Sequence, residues 1–413
     1  MRVACVYPPK PYLTDPGAQA GLGLLCLATL AREVGAEVDV LDWQSLPDVP
    51  PEPPGCDVAL VSGCMADIPM VDKAARLAKR GGAYVAVGGP IADDPSLKLR
   101  FADAVIAGPG EPFVERLAAG ELPAGRLVYE DDQPFDRWPA PDRRLLPNPG
   151  GRIFHPRAGV AAQQSATLIT TRGCRYRCAF CREGGRGGHH DYPMDRVAEE
   201  VRQIAAMGIR QVRVGDDNCT ASLARLEALC GIMAEHRLKW RASCRTRPGG
   251  ADVFRLMAGS GCLEVNLGIE SADQAVLEAL HKSATVECGE QAVENATAAG
   301  IRSVRALFMM GTPGETPRTL DLNKQWADRH RHVLVCLTAF VPFPGTAIWA
   351  DPGRFGVQLD VQRPNISFYS FRPDGSEPEA HIEIVGGMGR EELTANLREF
   401  RRFLDARRQI NRG

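Results

Sequence analysis

The sequence has no run of 18 apolar residues, no histidine before His155 and no excess of charge of either sign. The first absence argues against a membrane-spanning helix. MRVACVYPP also reaches its prolines too early for a signal h-region, so the expected compartment is the cytoplasm, with no membrane partner. Forty-nine Lys and Arg against 51 Asp and Glu leave a net charge of −2, which gives no reason to expect nucleic acid or an acidic surface as partner. The basic pairs Arg401-Arg402 and Arg407-Arg408 read as solvated helix faces. Thirteen cysteines could suggest disulfides. The count is odd, however, and Cys5, Cys26, Cys230, Cys262 and Cys336 stand singly in apolar stretches, as small buried hydrophobes do in a reducing compartment.

What is present points to an α/β chain of 413 residues, long enough for two domains. Residues 1–118 alternate apolar strands (2–8, 38–42, 57–63, 84–90 and 102–111) with helical stretches at 21–35 and 71–82. That alternation predicts a doubly wound, Rossmann-like parallel sheet. Residues 119–164, with WPAPDRRLLPNPGGR, lose the rhythm and read as a linker. Six β/α units then follow between 165 and 350, with strands expected at 166–170, 210–215, 239–244, 263–268, 302–310 and 332–341. They predict a partial (β/α)6 barrel with its site at the C-terminal strand ends. Residues 351–413 read as a short α+β segment covering the barrel. It holds two extended runs, a final helix from about Arg390 to Arg408, and Phe368, Tyr369 and Phe371 as mouth-lining or core aromatics.

One group of cysteines is tightly spaced. TTRGCRYRCAFCREGG sets Cys174, Cys178 and Cys181 as C-x3-C-x2-C directly after the first barrel strand. Four-iron clusters ordinarily take four cysteines, so three local thiolates leave one iron open. Zinc is the competing ligand, and it would want a fourth nitrogen or sulfur donor, for which His189 and His190 are near in sequence.

This motif, with Ala179-Phe180 between its last two cysteines, resembles that of the radical S-adenosylmethionine (SAM) superfamily, and the resemblance extends over about residues 160–350. It implies a 4Fe–4S cluster that cleaves SAM reductively to a 5′-deoxyadenosyl radical, with an electron donor such as flavodoxin or ferredoxin. It also implies SAM contacts at strand ends. These are Asp216 and Asp217 of GDDN, Glu270 and Ser271 of GIES, Gly311 of MMGTPGET, and Phe180 beside the adenine. Helix capping is the alternative role for Asp217 and Ser271, and plain packing for Phe180.

Residues 1–118 resemble the cobalamin-binding domain that precedes the barrel in one radical SAM class. The matching positions are Gly21 and Leu22; Ser62, Gly63, Cys64 and Met65; Gly88, Gly89 and Pro90; and Gly108, Gly110 and Glu111. Glycines after buried strands are common in any doubly wound sheet, so a sheet with another ligand or none is the alternative. With no D-x-H-x-x-G motif, the lower face of the cobalt would lack a protein histidine and could be faced by residues 64–68. The resemblance implies a C-methyltransferase acting on an unactivated carbon of a small molecule, or of a short peptide. The alternatives are radical cyclisation, ring contraction or oxidation, and a non-catalytic cobalamin or iron–sulfur sensor. High Arg, Ala and Gly content is associated with GC-rich bacterial genomes, where such enzymes serve natural-product or cofactor pathways.

Overall fold

A computed structural model describes residues 1–13, 21–130, 137–147, 151–152, 164–186, 188–360 and 377–409. Phe368, Tyr369 and Phe371 lie outside the described residues. The chain divides into two compact units, Met1–Arg152 and Ile153–Gly413.

In the first unit, six parallel strands run in the order β2-β1-β3-β4-β5-β6. They are β1 (Arg2–Tyr7), β2 (Glu37–Asp42), β3 (Val58–Ser62), β4 (Tyr84–Gly88), β5 (Ala104–Ala107) and β6 (Gly125–Val128). β-Branched and small apolar residues such as Val3, Val6, Val58, Val61, Val85 and Val87 are buried along them, as a sheet covered on both faces requires. Helix α1 (Gly23–Glu33) packs with α3 (Glu111–Ala118), while α2 (Ile68–Arg80) packs on β3 and β4. The order reverses between β1 and β3, so the crevice at their carboxyl ends is the topological switch point.

The segment expected to be a linker belongs in part to this unit, which corrects the boundary at 118. Strand β6 pairs with β5 from Ala104↔Gly125 to Ala107↔Val128. Asp142 is drawn onto α1 by Arg32 at 2.6 Å, and its backbone N–H donates to Thr29 Oγ1 at 2.9 Å. The cause is backbone pairing, which a glycine- and proline-rich sequence can provide without hydrophobic rhythm.

All six barrel strands form. They are β7 (Gln164–Leu168), β8 (Gln211–Val214), β9 (Lys239–Cys244), β10 (Cys262–Glu270), β11 (Ser303–Met310) and β12 (Leu334–Ala339). They are parallel and lie side by side in sequence order. One face is apolar and fully buried: Leu168, Val212, Trp240, Val265, Ala306, Phe308 and Val335 are at most 1% exposed. Phe308 on this face meets Trp326 of the helix Thr319–Arg329 at 5.0 Å between ring centroids. It also meets Phe400 of the C-terminal helix Arg390–Ala406 at 5.9 Å. The other face carries Thr167, Arg213, Arg241, Ser243, Glu264, Asn266 and Arg305, at the alternate positions of the pleat. Right-handed crossovers that keep every helix on one side curl such a sheet into a partial barrel with its polar face inward.

The tail meets the expectation of two extended runs and a helix. Val357–Leu359 pairs antiparallel with Ile382–Ile384. Val357, Ala380, Ile382 and Met388 share a core with Ala179 of the cysteine loop and Phe340 beyond β12. The tail therefore packs over that end of the barrel.

The aromatic core under β11 sets a stability prediction. Phe308→Ala should cost about 3–5 kcal/mol, the range for emptying a buried phenylalanine site. It should lower the urea midpoint followed by tryptophan fluorescence, since Trp326 is its neighbour. An unchanged midpoint would show that this core does not limit stability.

Candidate cluster and SAM site

The site begins with a joint between two strand ends. Asp216, just past β8, is 4% exposed. Its Oδ1 accepts from the backbone N–H groups of Thr170 at 2.6 Å and Thr171 at 3.2 Å, and its Oδ2 from Thr170 Oγ1 at 2.5 Å. Burial raises its pKa, and these hydrogen bonds act in the opposite direction. The joint fixes where the chain leaves β7 and turns into the cysteine loop.

Gly173 then makes the turn at φ +76, where an added Cβ would sit 2.1 Å from the Gly188 carbonyl oxygen. Gly184 closes the loop from the other side, with space for a Cβ blocked by the Cys178 backbone at 2.7 Å. The loop is stitched to neighbouring elements by Ala179 N–H donating to Leu280 O at 2.9 Å and Ile348 N–H donating to Ala179 O at 3.2 Å.

Cys174, Cys178 and Cys181 are all free thiols, with Cys178 buried. The pKa values of Cys174 and Cys181 are both raised, and Cys178 adds to each shift electrostatically. Burial is the main cause in each case, and it pushes Cys181 up to about 11. Amide hydrogen bonds from Glu183 and Gly184 oppose that shift. Iron binding would have to displace these protons, as a coordinating thiol loses its own outright. Among the described residues no three His, Cys, Asp or Glu side chains converge on a single-ion site. His189, considered for zinc, uses one ring nitrogen on Gly173 O (3.3 Å) and the other on Asp191 (3.0 Å). The donor set fits a cluster with three thiolates. The buried Nδ2 of Asn218, beside the loop, has no partner among the described residues.

The other expected positions fall into two groups. Asp217 is exposed; its charge acts on Cys174 and Cys181, and partial loss of hydration, then Glu183 and Asp216, raise it to about 6. Phe180 joins the core beside Ala179, with Lys282 Nζ 5.9 Å from its ring centroid. Gly311 turns at φ +77 after β11. Glu270 and Ser271, by contrast, are already engaged. Lys282 Nζ donates to Glu270 Oε1 at 2.5 Å. Ser271 Oγ accepts from the Asp273 N–H at 3.1 Å and lies 3.3 Å from Asn323 Oδ1, in a capping network.

Three residues here were missed by the sequence reading. Arg245 follows β9, and its Nη1 donates to Cys178 Sγ at 3.0 Å while its guanidinium lies 3.8 Å over the Tyr176 ring. Its backbone N–H donates to Asn218 Oδ1 at 3.1 Å, and Nη2 donates to Lys282 O. Glu315 accepts from Thr312 N–H and Oγ1 at 2.8 and 3.0 Å, and burial raises it to about 7. Lys282 is the third. Arg245 was findable, since it stands directly after a barrel strand; Lys282 sits in a loop with no such signal.

In the first unit the glycines mark strand ends. Ser62 and Gly88 end β3 and β4, and Gly63 and Gly89 follow them. A Cβ on Gly89 would approach Ser62 Oγ to 2.6 Å and Gly63 O to 2.9 Å. Pro90 and Met65 begin short 3-10 turns, and Gly108 turns at φ +94 after β5. Gly110 and Leu22 stand at the N-termini of α3 and α1, Glu111 is buried, and the Gly21 carbonyl accepts from Tyr7 OH at 2.7 Å. Beside Cys64, whose N–H donates to Asp67 Oδ2 at 2.7 Å, Tyr12 OH donates to the other oxygen of the buried Asp67.

Residues 168–325 match the sequence model of the Radical SAM superfamily. The chain carries a radical SAM domain. An uncharacterised methyltransferase of Pyrococcus horikoshii is 27% identical over 364 residues, 79% of this chain and 77% of its own. The bacteriochlorophyllide d C-12(1)-methyltransferase of Chlorobaculum tepidum is 23% identical over 399 residues, 92% of this chain and 84% of that one. A solved structure of TsrM from Kitasatospora setae, a radical SAM methyltransferase with cobalamin and a 4Fe–4S cluster bound, matches with a TM-score of 0.73 at 19% identity. It covers 97% of this chain and 90% of TsrM, a likeness of fold. No helix of the described residues is long and apolar enough to cross a membrane.

Arg245 yields the second prediction. If Cys178 holds the cluster, a charged donor on its sulfur would stabilise the more negative, reduced state. Arg245→Gln should lower the cluster's midpoint potential by on the order of tens of millivolts, with iron content kept. An EPR-monitored potentiometric titration reads the shift, and an unmoved potential would remove Arg245 from the cluster's surroundings.

Proposed function

We propose that this radical SAM enzyme is a cobalamin-dependent methyltransferase acting on an unactivated carbon of a small molecule. The observation that carries the reading is a combination within one chain. A three-cysteine loop leaves the first strand of a singly wound sheet, and a doubly wound sheet with glycines at adjacent strand ends precedes it. The relatives named as methyltransferases, matched along most of the chain, support it.

Cys174, Cys178 and Cys181 would hold a 4Fe–4S cluster. Asp217 is the acid left to meet the SAM amino group, because the Asp216 carboxylate is engaged by Thr170 and Thr171. Phe180 and the backbone at Gly311 would border the adenosine. The Glu270–Lys282 pair offers a ribose either a carboxylate oxygen or an ammonium donor. Ser62, Gly63, Gly88, Gly89, Gly108 and Gly110, with backbone groups unscreened by side chains, would hold the corrin and its tail near the β1/β3 switch point. Residues 1–154 contain no imidazole to offer cobalt, and Tyr12 occupies Asp67 beside Cys64. When bound, the cluster and SAM supply an organic radical for hydrogen abstraction, and cobalamin supplies a methyl group.

Anaerobic purification from cobalamin-fed cells tests the reading. Near-stoichiometric corrin beside about four irons is expected. So is formation of S-adenosylhomocysteine together with 5′-deoxyadenosine during turnover. Iron without corrin would sink the methyl-transfer assignment, and deoxyadenosine without S-adenosylhomocysteine would turn it toward another radical outcome.

A further inference from the structure

The inward face of the barrel sheet carries charge that the candidate cluster site does not use. Arg213 of β8 stands opposite Arg241 of β9, and Arg241 opposite Glu264 of β10. Arg305 of β11 stands opposite Asn266, two residues along β10 from Glu264. Glu264 is 1% exposed, and its Oε1 accepts from Arg241 Nη1 and Arg305 Nη1, each at 3.1 Å. Its Oε2 accepts from Ser303 Oγ at 2.9 Å, so the carboxylate is saturated by its neighbours. Arg305 Nε donates to Cys336 Sγ at 3.3 Å.

Arg213 is different. Among the described residues it is half-buried, with no hydrogen bond or carboxylate partner, and the charges that reach it are those of Arg241 and Arg305. Burial, then these two cations, lowers it to about 10. A guanidinium does not normally enter a half-buried, like-charged site without an anion to meet it. Among the described residues, three guanidiniums against one carboxylate leave two positive charges uncompensated on a face whose side chains still reach solvent, with Arg241 12% and Arg305 14% exposed.

We propose that Arg213, Arg241 and Arg305 form an anion-binding floor of the barrel that takes a phosphate or phosphonate group of the substrate. Two uncompensated charges match a phosphate monoester, which carries about −1.5 to −2 at neutral pH, better than a carboxylate. Guanidinium forks suit its oxygens. Asp217 is four positions along the chain from Arg213, so chain length limits their Cα separation to roughly 14 Å. The substrate is then a small molecule with its anion on the floor and its reacting carbon near the cluster end. This rests on reading the barrel interior as the substrate chamber of the proposed methyltransferase.

The test uses the cluster-loaded full chain with inorganic phosphate as probe and chloride at matched ionic strength as control. Phosphate should raise the thermal midpoint above the chloride value and protect Arg213 from phenylglyoxal in peptide mass spectra. Arg213→Gln should weaken phosphate binding about tenfold, the loss of one charge-assisted partner, and Arg213→Lys should weaken it less. The cluster absorbance of each variant reports its folding. Equal effects of phosphate and chloride, or full phosphate binding by Arg213→Gln, would overturn the proposal, and the protection measurement on the unaltered chain decides even if the variants fail to fold. SAM cleavage in the same preparation separates the two readings. Cleavage without phosphate binding removes only the anion floor, while phosphate binding without cleavage supports the floor and removes the methyltransferase.

Discussion

The buried Asp216 carboxylate is the contact on which the geometry of the candidate cluster loop depends. It sits past the end of β8 and gathers two backbone N–H groups and a hydroxyl from the end of β7. Those amides lie where β7 stops and the cysteine loop starts, so without an acceptor they would be left unpaired in the interior. A buried carboxylate is costly by itself, and these donors make it tolerable. The same bonds fix the takeoff of the loop, and Gly173 then gives the left-handed turn that no side chain could share with Gly188. The placement of three thiols thus rests on one acid whose charge is spent on backbone.

The two sheets differ in winding, and winding decides where each can bind something. The first reverses its order between β1 and β3, which opens a crevice at strand ends lined by loops with little side chain. The second never reverses, so its helices share one face and its opposite face turns inward. On that second face, apolar burial cannot supply the stability, and polar side chains must satisfy one another or meet a ligand. Glu264 does the former for two arginines. The site residues stand higher, where the strands end and the chain is free to turn.

Much of this was legible from sequence. Every barrel strand announced itself by length and apolar content, and the cysteine spacing located the loop. The linker boundary was misread because β6 draws its stability from backbone pairing with β5, while its sequence GRLV carries little hydrophobic signal. The roles of the acids were the other weak point. GDDN offers two adjacent carboxylates, and only three-dimensional neighbours separate Asp216, buried and turned onto Thr170, from Asp217, left exposed. Lys282 was invisible for the same reason: its partner Glu270 is twelve residues away, across a helix.

Glu270 shows how the charged groups of the inner face are divided. Register slips between Gly268 and Glu270, and Glu270 takes φ +64, a conformation that costs a non-glycine residue of order 1–3 kcal/mol. The bulge breaks the pleat, so the carboxylate no longer has to follow its strand's alternation and can meet Lys282. The pair is closed, one cation to one anion, with both side chains under a tenth exposed. Lower on the same strand, Glu264, just past a register slip opposite Trp240 and Arg241, is shared by two arginines while a third goes without. A fold able to close a pair at one level through a strained bulge leaves the charge open at another. Local stability would be served by closing both, so an open cationic layer on a solvent-reaching face is what a chamber built to receive an anion requires.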